Sequence, residues 1–258
     1  MTTNTHNTAA LPLAGTVALV TGGARGIGRG IVERLVDDGA AVMIGYASPE
    51  SDNRVKEIID GIEAGGGQAA SYRGDLGDPE VSNALIEAVR DRFGRLDALV
   101  NNAAIADYRP FGEFDEEALQ RTLAVNVAAP FRLSQDALSL MGDGGRIVMI
   151  GSTVATRMAR QTGSLYATSK AALIGMVKGM ARDLGERGIT VNLVNPGPTE
   201  TEMLHTHTPE KIAAMVDFMA IKGLGKPKHI AATVAALLRE DAAYTTGAVI
   251  ATDGGFTI

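Results

Sequence analysis

About seven short apolar, β-branched runs, each separated from the next by a longer stretch of helical spacing, set the strongest limit on how this chain can fold. "TVALV" (16–20) leads into a Gly-rich turn and then "RGIGRGIVERLVDDG". "AVMIGY" (41–46) leads into "PESDNRVKEIIDGIEAGGG", and "QAASYR" (68–73) into "DPEVSNALIEAVRDRFG". "LDALVNN" (96–102) precedes a helical stretch over about 115–140, and "GRIVMIGS" (145–152) precedes a helix containing "SLYATSK". "GITVNLVNPG" (188–197) and "GAVIATDGG" (247–255) close the series. Strands joined by helical crossovers run parallel, so the pattern predicts an α/β fold with one parallel sheet and helices on both faces.

No Pro/Ser linker and no solenoid repeat interrupts the series, so residues 14–258 read as one domain. The opening "MTTNTHNTAALPLAG" lacks the basic start and apolar stretch of a signal peptide, and residues 1–13 read as a flexible tail. After the run that ends at Gly197, "KIAAMVDFMAIKG" has helical spacing but no strand accompanies it. Ligands of open α/β sheets bind at the carboxyl ends of strands, so residues 199–222 are expected to form a substrate lid.

The net charge of −6 and the lack of a basic block exclude nucleic acid as an expected partner. No apolar run approaches the ~18 residues that span a bilayer, so no membrane partner is expected. The chain has no cysteine, which removes disulfides, thiol nucleophiles and thiolate metal sites and fits a reducing, cytoplasmic setting. His205 and His207 sit two apart in a polar segment without obvious partners, so no metal site is expected.

"TGGARGIG" (21–28) joins the first strand to the first helix. Gly22, Gly26 and Gly28 are spaced four and two apart, unlike the GxGxxG fingerprint, but the physics carries over. Glycines let the backbone turn sharply and approach a pyrophosphate, whose charge meets a helix N-terminus. No GK[ST] follows, which disfavours a phosphate-loop NTPase. In "SLYATSK", Tyr166 and Lys170 are four apart, on one face of a helix.

Taken in order, TGxxxGxG (21–28), "NNAA" (101–104), Asn126, Ser152, YxxxK (166–170), "NPG" (195–197) and "DGG" (253–255) resemble the short-chain dehydrogenase/reductase family over roughly residues 14–258. The chain is most similar to its single-domain, ketoacyl-reductase-like branch. That resemblance implies a Rossmann-type, doubly wound fold, NAD(P)-linked interconversion of carbonyls and alcohols, and usually a homotetramer. It implies cofactor contacts from Gly22, Arg25, Gly26, Ile27 and Gly28, from Asn102 and Ala103, from Tyr166 and Lys170, and from Pro196, Thr199 and Thr201. It also places Asp75 and Leu76 near the adenine. Two departures stand out. Ala104 replaces a usual glycine, and Ser152 lies fourteen residues before Tyr166 where thirteen is commoner. Either an extra residue in the loop 156–163 explains the spacing, or Thr153 is the hydroxyl donor; "IGS" favours Ser152.

Reduction of a ketone puts negative charge on the oxygen, which must gain a proton. A tyrosine with an ordinary pKa near 10 is a poor donor at neutral pH. Lowering it by about three units needs roughly 4 kcal/mol. One ammonium at about 4 Å supplies that order of energy at an effective dielectric of about 20. Tyr166 is therefore expected to be general acid in reduction and general base in oxidation. Lys170 is the charge beside it and, by resemblance, a ribose ligand. Ser152 is expected to bond the substrate oxygen, and Asn126, by resemblance alone, to hold a relay water.

For the cofactor, Tyr46 ends the second strand where an NAD site commonly carries an acid. Arg25 stands where related NADP enzymes face the 2′-phosphate, Ser48 is expected to donate a hydrogen bond to the same group, and Arg54 adds charge there if its helix points inward. NADP(H) is expected over NAD(H). Gly175 and Gly179 weaken the helix that carries Tyr166 and open a shallow face, which predicts a homo-oligomer, a tetramer before a dimer. Two other readings remain open: a nucleotide-binding protein of this fold with little catalysis, and a 3-ketoacyl-carrier-protein reductase using Arg132 and Arg187. "IADYRPFGEF" does not resemble the matching segment of the latter. The substrate, its stereochemistry and the physiological direction are not legible, because the lid sets them.

Overall fold

Every residue of β1 (Val17–Thr21) is buried, because this strand lies inside the sheet with helices above and below it. It is followed by β2 (Ala41–Tyr46), β3 (Ala69–Arg73), β4 (Leu96–Asn101), β5 (Met141–Ile150), β6 (Thr190–Pro196) and β7 (Val249–Thr252). This computed structural model describes residues 11–159, 161–204 and 208–258. Among the described residues the seven strands form one sheet in the order β3-β2-β1-β4-β5-β6-β7, with every pair parallel.

The helices are α1 (Gly26–Asp37), α2 (Asp52–Ala64), α3 (Pro79–Phe93), α4 (Glu116–Leu123), α5 (Ala129–Ala137), α6 (Ser164–Leu184), α7 (Pro209–Asp217) and α8 (Pro227–Leu238). Side chains alternate along a strand, so each strand feeds two cores. Ala18, Val20, Val42, Ile44, Val100 and Val148 pack with α1, α2 and α8. Leu19, Met43, Leu99, Ile147 and Met149 pack with α3, α5 and α6. The expected doubly wound α/β fold is therefore present. Strand order reverses between β1 and β4, and that switch point opens a crevice at their carboxyl ends.

Local sequence explains most element ends. Asp78 accepts from the Glu80 N–H and Pro79 opens α3; Asp115 accepts from the Ala118 N–H at the start of α4. α1 differs, because no side chain caps it and its first turn carries no acid. Its N–H groups are left for an anion.

Three details depart from the sequence reading. Leu13 is buried in the core and its N–H donates to the Asp38 carbonyl, so the assigned tail ends too late; residues 1–10 of it lie outside the described residues. β5 stops at Ile150 because Ser152 turns the chain, accepting from the Val154 N–H. The helical stretch over 115–140 is broken by a wide, π-helical turn at Ala124–Ala128. Pro130 has no N–H, so the carbonyl of Asn126, four residues earlier, has no α-helical donor.

Candidate active site

The glycine turn is held in shape from β4. Asn102 Nδ2 donates to the carbonyls of Thr21 (2.9 Å) and Gly22 (3.2 Å). The Thr21 hydroxyl accepts from the N–H groups of Asn102 and Ala103, both at 3.0 Å. Gly22 has φ +64°, and a Cβ there would lie 2.9 Å from Asn102 Nδ2. A Cβ on Gly28 would collide with the Gly22 carbonyl oxygen. The turn is thus a cradle that only glycine allows, ending at the uncapped start of α1. These features fit a dinucleotide pyrophosphate. Ile27 packs inward against the core, so only its main chain faces the cradle.

Beyond β2, the nearby acids are already committed. Tyr46 donates to Asp52 Oδ1 at 2.9 Å and Arg73 pairs with Asp52 at 2.8 Å. The Ser48 hydroxyl donates to Glu50, so it must rotate to meet a ligand. Arg25 and Arg54 converge instead on Glu202, at 2.8 and 3.0 Å. Asp75 is held by Arg121 of α4 at 2.7 Å and accepts from the Gly77 N–H. Partial burial pulls its pKa up, but those bonds keep it below the ordinary carboxylate value.

Around the opposite end of the crevice, Lys170 is only 3% exposed and its Nζ donates to the Ile150 carbonyl at 2.8 Å. Burial lowers its pKa from 10.5 to about 8. Nζ lies 5.8 Å from the centre of the Tyr166 ring, which is also buried. The ring of Tyr108 meets Tyr166 edge-on at 5.7 Å. Asn126 accepts from the Ile105 N–H and donates to the Ile105 carbonyl and the Ser169 hydroxyl, so its side chain is fully used. Ser152 is half-buried and its N–H donates to Asn195 Oδ1 at 3.0 Å, whereas Thr153 is buried. A small cavity is lined by Leu76, Ala103, Asn126, Pro130, Ile150 and Lys170, among others.

The segment after β6 leaves through a narrow neck, where Thr199 pairs with Gly225 in a parallel bridge. Thr201 passes over the glycine turn, 3.4 Å from where a Gly26 Cβ would be. At the far end, Arg157 stacks on Phe218 and Phe256 at 5.1 and 5.6 Å and donates to the Phe256 carbonyl.

A family model described as enoyl-(acyl carrier protein) reductase matches residues 22–257. The chain is a short-chain dehydrogenase/reductase. It is 39% identical to the 3-oxoacyl-[acyl-carrier-protein] reductase of Vibrio cholerae over 245 residues, 94% of this chain and 98% of the relative. It is equally 39% identical, over 242 residues, to the cyclic-di-GMP-binding biofilm dispersal mediator protein of Escherichia coli, covering 94% of this chain and 97% of that protein. The crystal structure of a blue fluorescent protein from a metagenomic library, in complex with NADPH, superposes with a TM-score of 0.93 at 43% identity; the match covers 96% of this chain and all of that one.

This short-chain dehydrogenase/reductase brings Asn126, Ser152, Tyr166 and Lys170 to the carboxyl side of β4 and β5, and Gly22 to Gly28, Asn102 and Ala103 to the adjoining switch point. Pro196 closes β6 beside the Thr199–Gly225 bridge. In the loop before Tyr166, Thr162 takes φ +72°, a costly conformation for a β-branched side chain. Asn195, Tyr108 and Glu202 escaped the sequence reading as individual residues, although they sat inside the quoted "NPG", the quoted "IADYRPFGEF" and the segment 199–222. Among the described residues, no cluster of three or more His, Asp or Glu stands ready for a metal. His205 and His207 lie outside the described residues.

Proposed function

We propose that Tyr166 is the proton donor of an NADP(H)-dependent reductase that interconverts a carbonyl and a secondary alcohol. The observation that carries this is the buried Tyr166–Lys170 pair, one helical turn apart, in the crevice whose other end is the glycine cradle. NADPH, when bound, supplies the hydride that reaches the carbonyl carbon. Tyr166 gives its proton to the oxygen, and takes it back when an alcohol is oxidised. Lys170, mostly protonated below about pH 8, stabilises the phenolate left behind. One of its hydrogens goes to Ile150, leaving two for a ribose hydroxyl and a water. Ser152 already accepts from Val154, so its own proton is free to bond the substrate oxygen, and it is more exposed than Thr153. Asn126 serves through its main-chain carbonyl, which Pro130 leaves without a helical donor, and the cavity beside Lys170 suits the relay water.

NADP(H) is the preferred cofactor. Arg25 and Arg54 form a cationic pair beside the cradle, no free acid ends β2, and the metagenomic relative is an NADPH complex. The cofactor's remaining contacts fall to Gly22, Gly26, Ile27, Gly28, Asn102, Ala103, Leu76 and Asp75, with Pro196, Thr199 and Thr201 on the nicotinamide side. Residues 199–222 act as the lid, and the enzyme works as a homotetramer in the cytoplasm. A carrier-protein substrate is supported by the Vibrio relative. Against it, Arg187 is engaged with Met141 and Asp143, and Arg132 donates to Leu76.

The test is a panel of ketones, diketones and ketoacyl thioesters assayed with each cofactor, for wild type and Tyr166→Phe. Turnover on the best substrate should fall at least ~100-fold in the variant, with NADPH binding by titration kept. Near-wild-type turnover would remove Tyr166 from the chemistry. No turnover of any substrate by wild type would favour a binding protein.

A further inference from the structure

Arg25 belongs to the glycine turn and Arg54 to α2, yet both point at one carboxylate. Arg25 Nη1 donates to Glu202 Oε2 at 2.8 Å and Arg54 Nη1 to Glu202 Oε1 at 3.0 Å. Each oxygen takes one guanidinium, so the carboxylate bridges the two cations. The Arg25 hydrogen bond, backed by the charge of Arg54, holds the Glu202 carboxyl below its ordinary pKa. It is charged at neutral pH. Asp52, the next acid on α2, is occupied by Tyr46 and Arg73 and does not enter this cluster.

Two arginines on separate elements that meet a single anion make a site for an anion of larger charge. A phosphate monoester carries about −1.5 to −2 near pH 7 and three acceptor oxygens. It would pair with both guanidinium groups more completely than one carboxylate does. The two anions cannot share the pair without repelling each other at contact distance. Glu202 must therefore yield before the arginines can be used in full.

We infer that Glu202 is an internal competitor for the 2′-phosphate of NADP(H), and that it narrows the enzyme's preference for NADP(H) over NAD(H). This rests on the reading that Arg25 and Arg54 face that phosphate. NAD(H) has a neutral hydroxyl at the same place and need not displace the carboxylate. The ion pairs are solvated, with side-chain exposures of 65% for Arg25, 41% for Arg54 and 52% for Glu202. Pairs of that kind are weak, so the competition is worth about 3- to 10-fold in affinity, not orders of magnitude.

The experiment measures dissociation constants of NADPH, NADH, adenosine 2′,5′-bisphosphate and 5′-AMP, by calorimetry or fluorescence titration, for wild type and Glu202→Gln. Glu202→Gln should tighten NADPH and the bisphosphate about 3- to 10-fold and move NADH and 5′-AMP by less than about twofold. The gain should vanish in an Arg25→Ala/Arg54→Ala background. An unchanged NADPH-to-NADH ratio, or weaker NADPH binding, overturns the inference, the latter making Glu202 an organiser of the arginines. Arg25→Ala alone separates the two layers. If it weakens NADPH and NADH alike, the phosphate reading fails and the competitor falls with it. If it is selective while Glu202→Gln is flat, only the competitor fails.

Discussion

Lys170 is an ionisable group held almost wholly out of water. Its pKa is lowered from 10.5 to about 8 by burial, so the folded protein holds this proton less tightly than the unfolded chain does. Between those two values the unfolded state binds more protons, and stability rises with pH. Below about pH 8 both states are charged and the full penalty stands, up to about 3 kcal/mol from the size of the shift. The cofactor-free wild type should therefore gain stability relative to Lys170→Met as pH climbs from 7.5 to 10. Urea unfolding of both proteins across that range measures it, and a pH-independent difference would mean that the lysine is not depressed. The penalty is tolerable because the same burial keeps an ammonium near a phenol where water cannot screen it. Tyr166 and Lys170 could be paired from sequence because one helix fixes their spacing. Glu202 could not be, since it lies 177 residues from Arg25 and no periodicity links the two segments.

The elements most plainly written in the chain are the strands. Burial on both faces demands continuous apolar runs, and β2 has the bounds that its run suggested. The wide turn at Ala124–Ala128 was not legible, because one extra residue in a helix leaves no change in composition. Pro130 was the available signal, and its effect on Asn126 shows only once the helix is continuous around it. The segment 199–222 also divides by legibility. Its helix α7 follows from apolar spacing, and Thr208 caps it by accepting from the Lys211 N–H. Two of its moorings, the Thr199–Gly225 bridge and the stacking of Arg157 on Phe218, join residues too far apart for any local pattern. Between those moorings, α7 has no buried residue. Limited proteolysis should therefore cut within residues 199–222 in the free protein, and NADPH should slow that cleavage several-fold as the segment closes. Equal cleavage in both states would count against a lid.

At the scale of the whole molecule, α6 presents an unfilled surface. A Cβ built on Gly175 or Gly179 meets nothing within 4 Å, and both residues are exposed. Each glycine costs a helix interior about 1 kcal/mol, so such a face is expensive unless a second backbone approaches it. Phe131, on the neighbouring α5, is 52% exposed. Light scattering at micromolar concentration should give a tetramer mass, and Gly179→Trp should shift the protein to smaller species. A monomeric wild type would leave the glycines unexplained. No helix among the described residues is long and apolar enough to cross a membrane. The sheet order has a further consequence, for the way the molecule comes into being. The strand that precedes the glycine turn must wait for β4, and Thr21 and Asn102 are 81 residues apart. Closing so long a loop is slow compared with forming a helix or a hairpin. During synthesis, α1 to α3 and the first three strands emerge before the residues that fix the turn. A nascent chain stopped short of Asn102 therefore carries the whole glycine motif in its sequence, without the bonds that give the motif its shape.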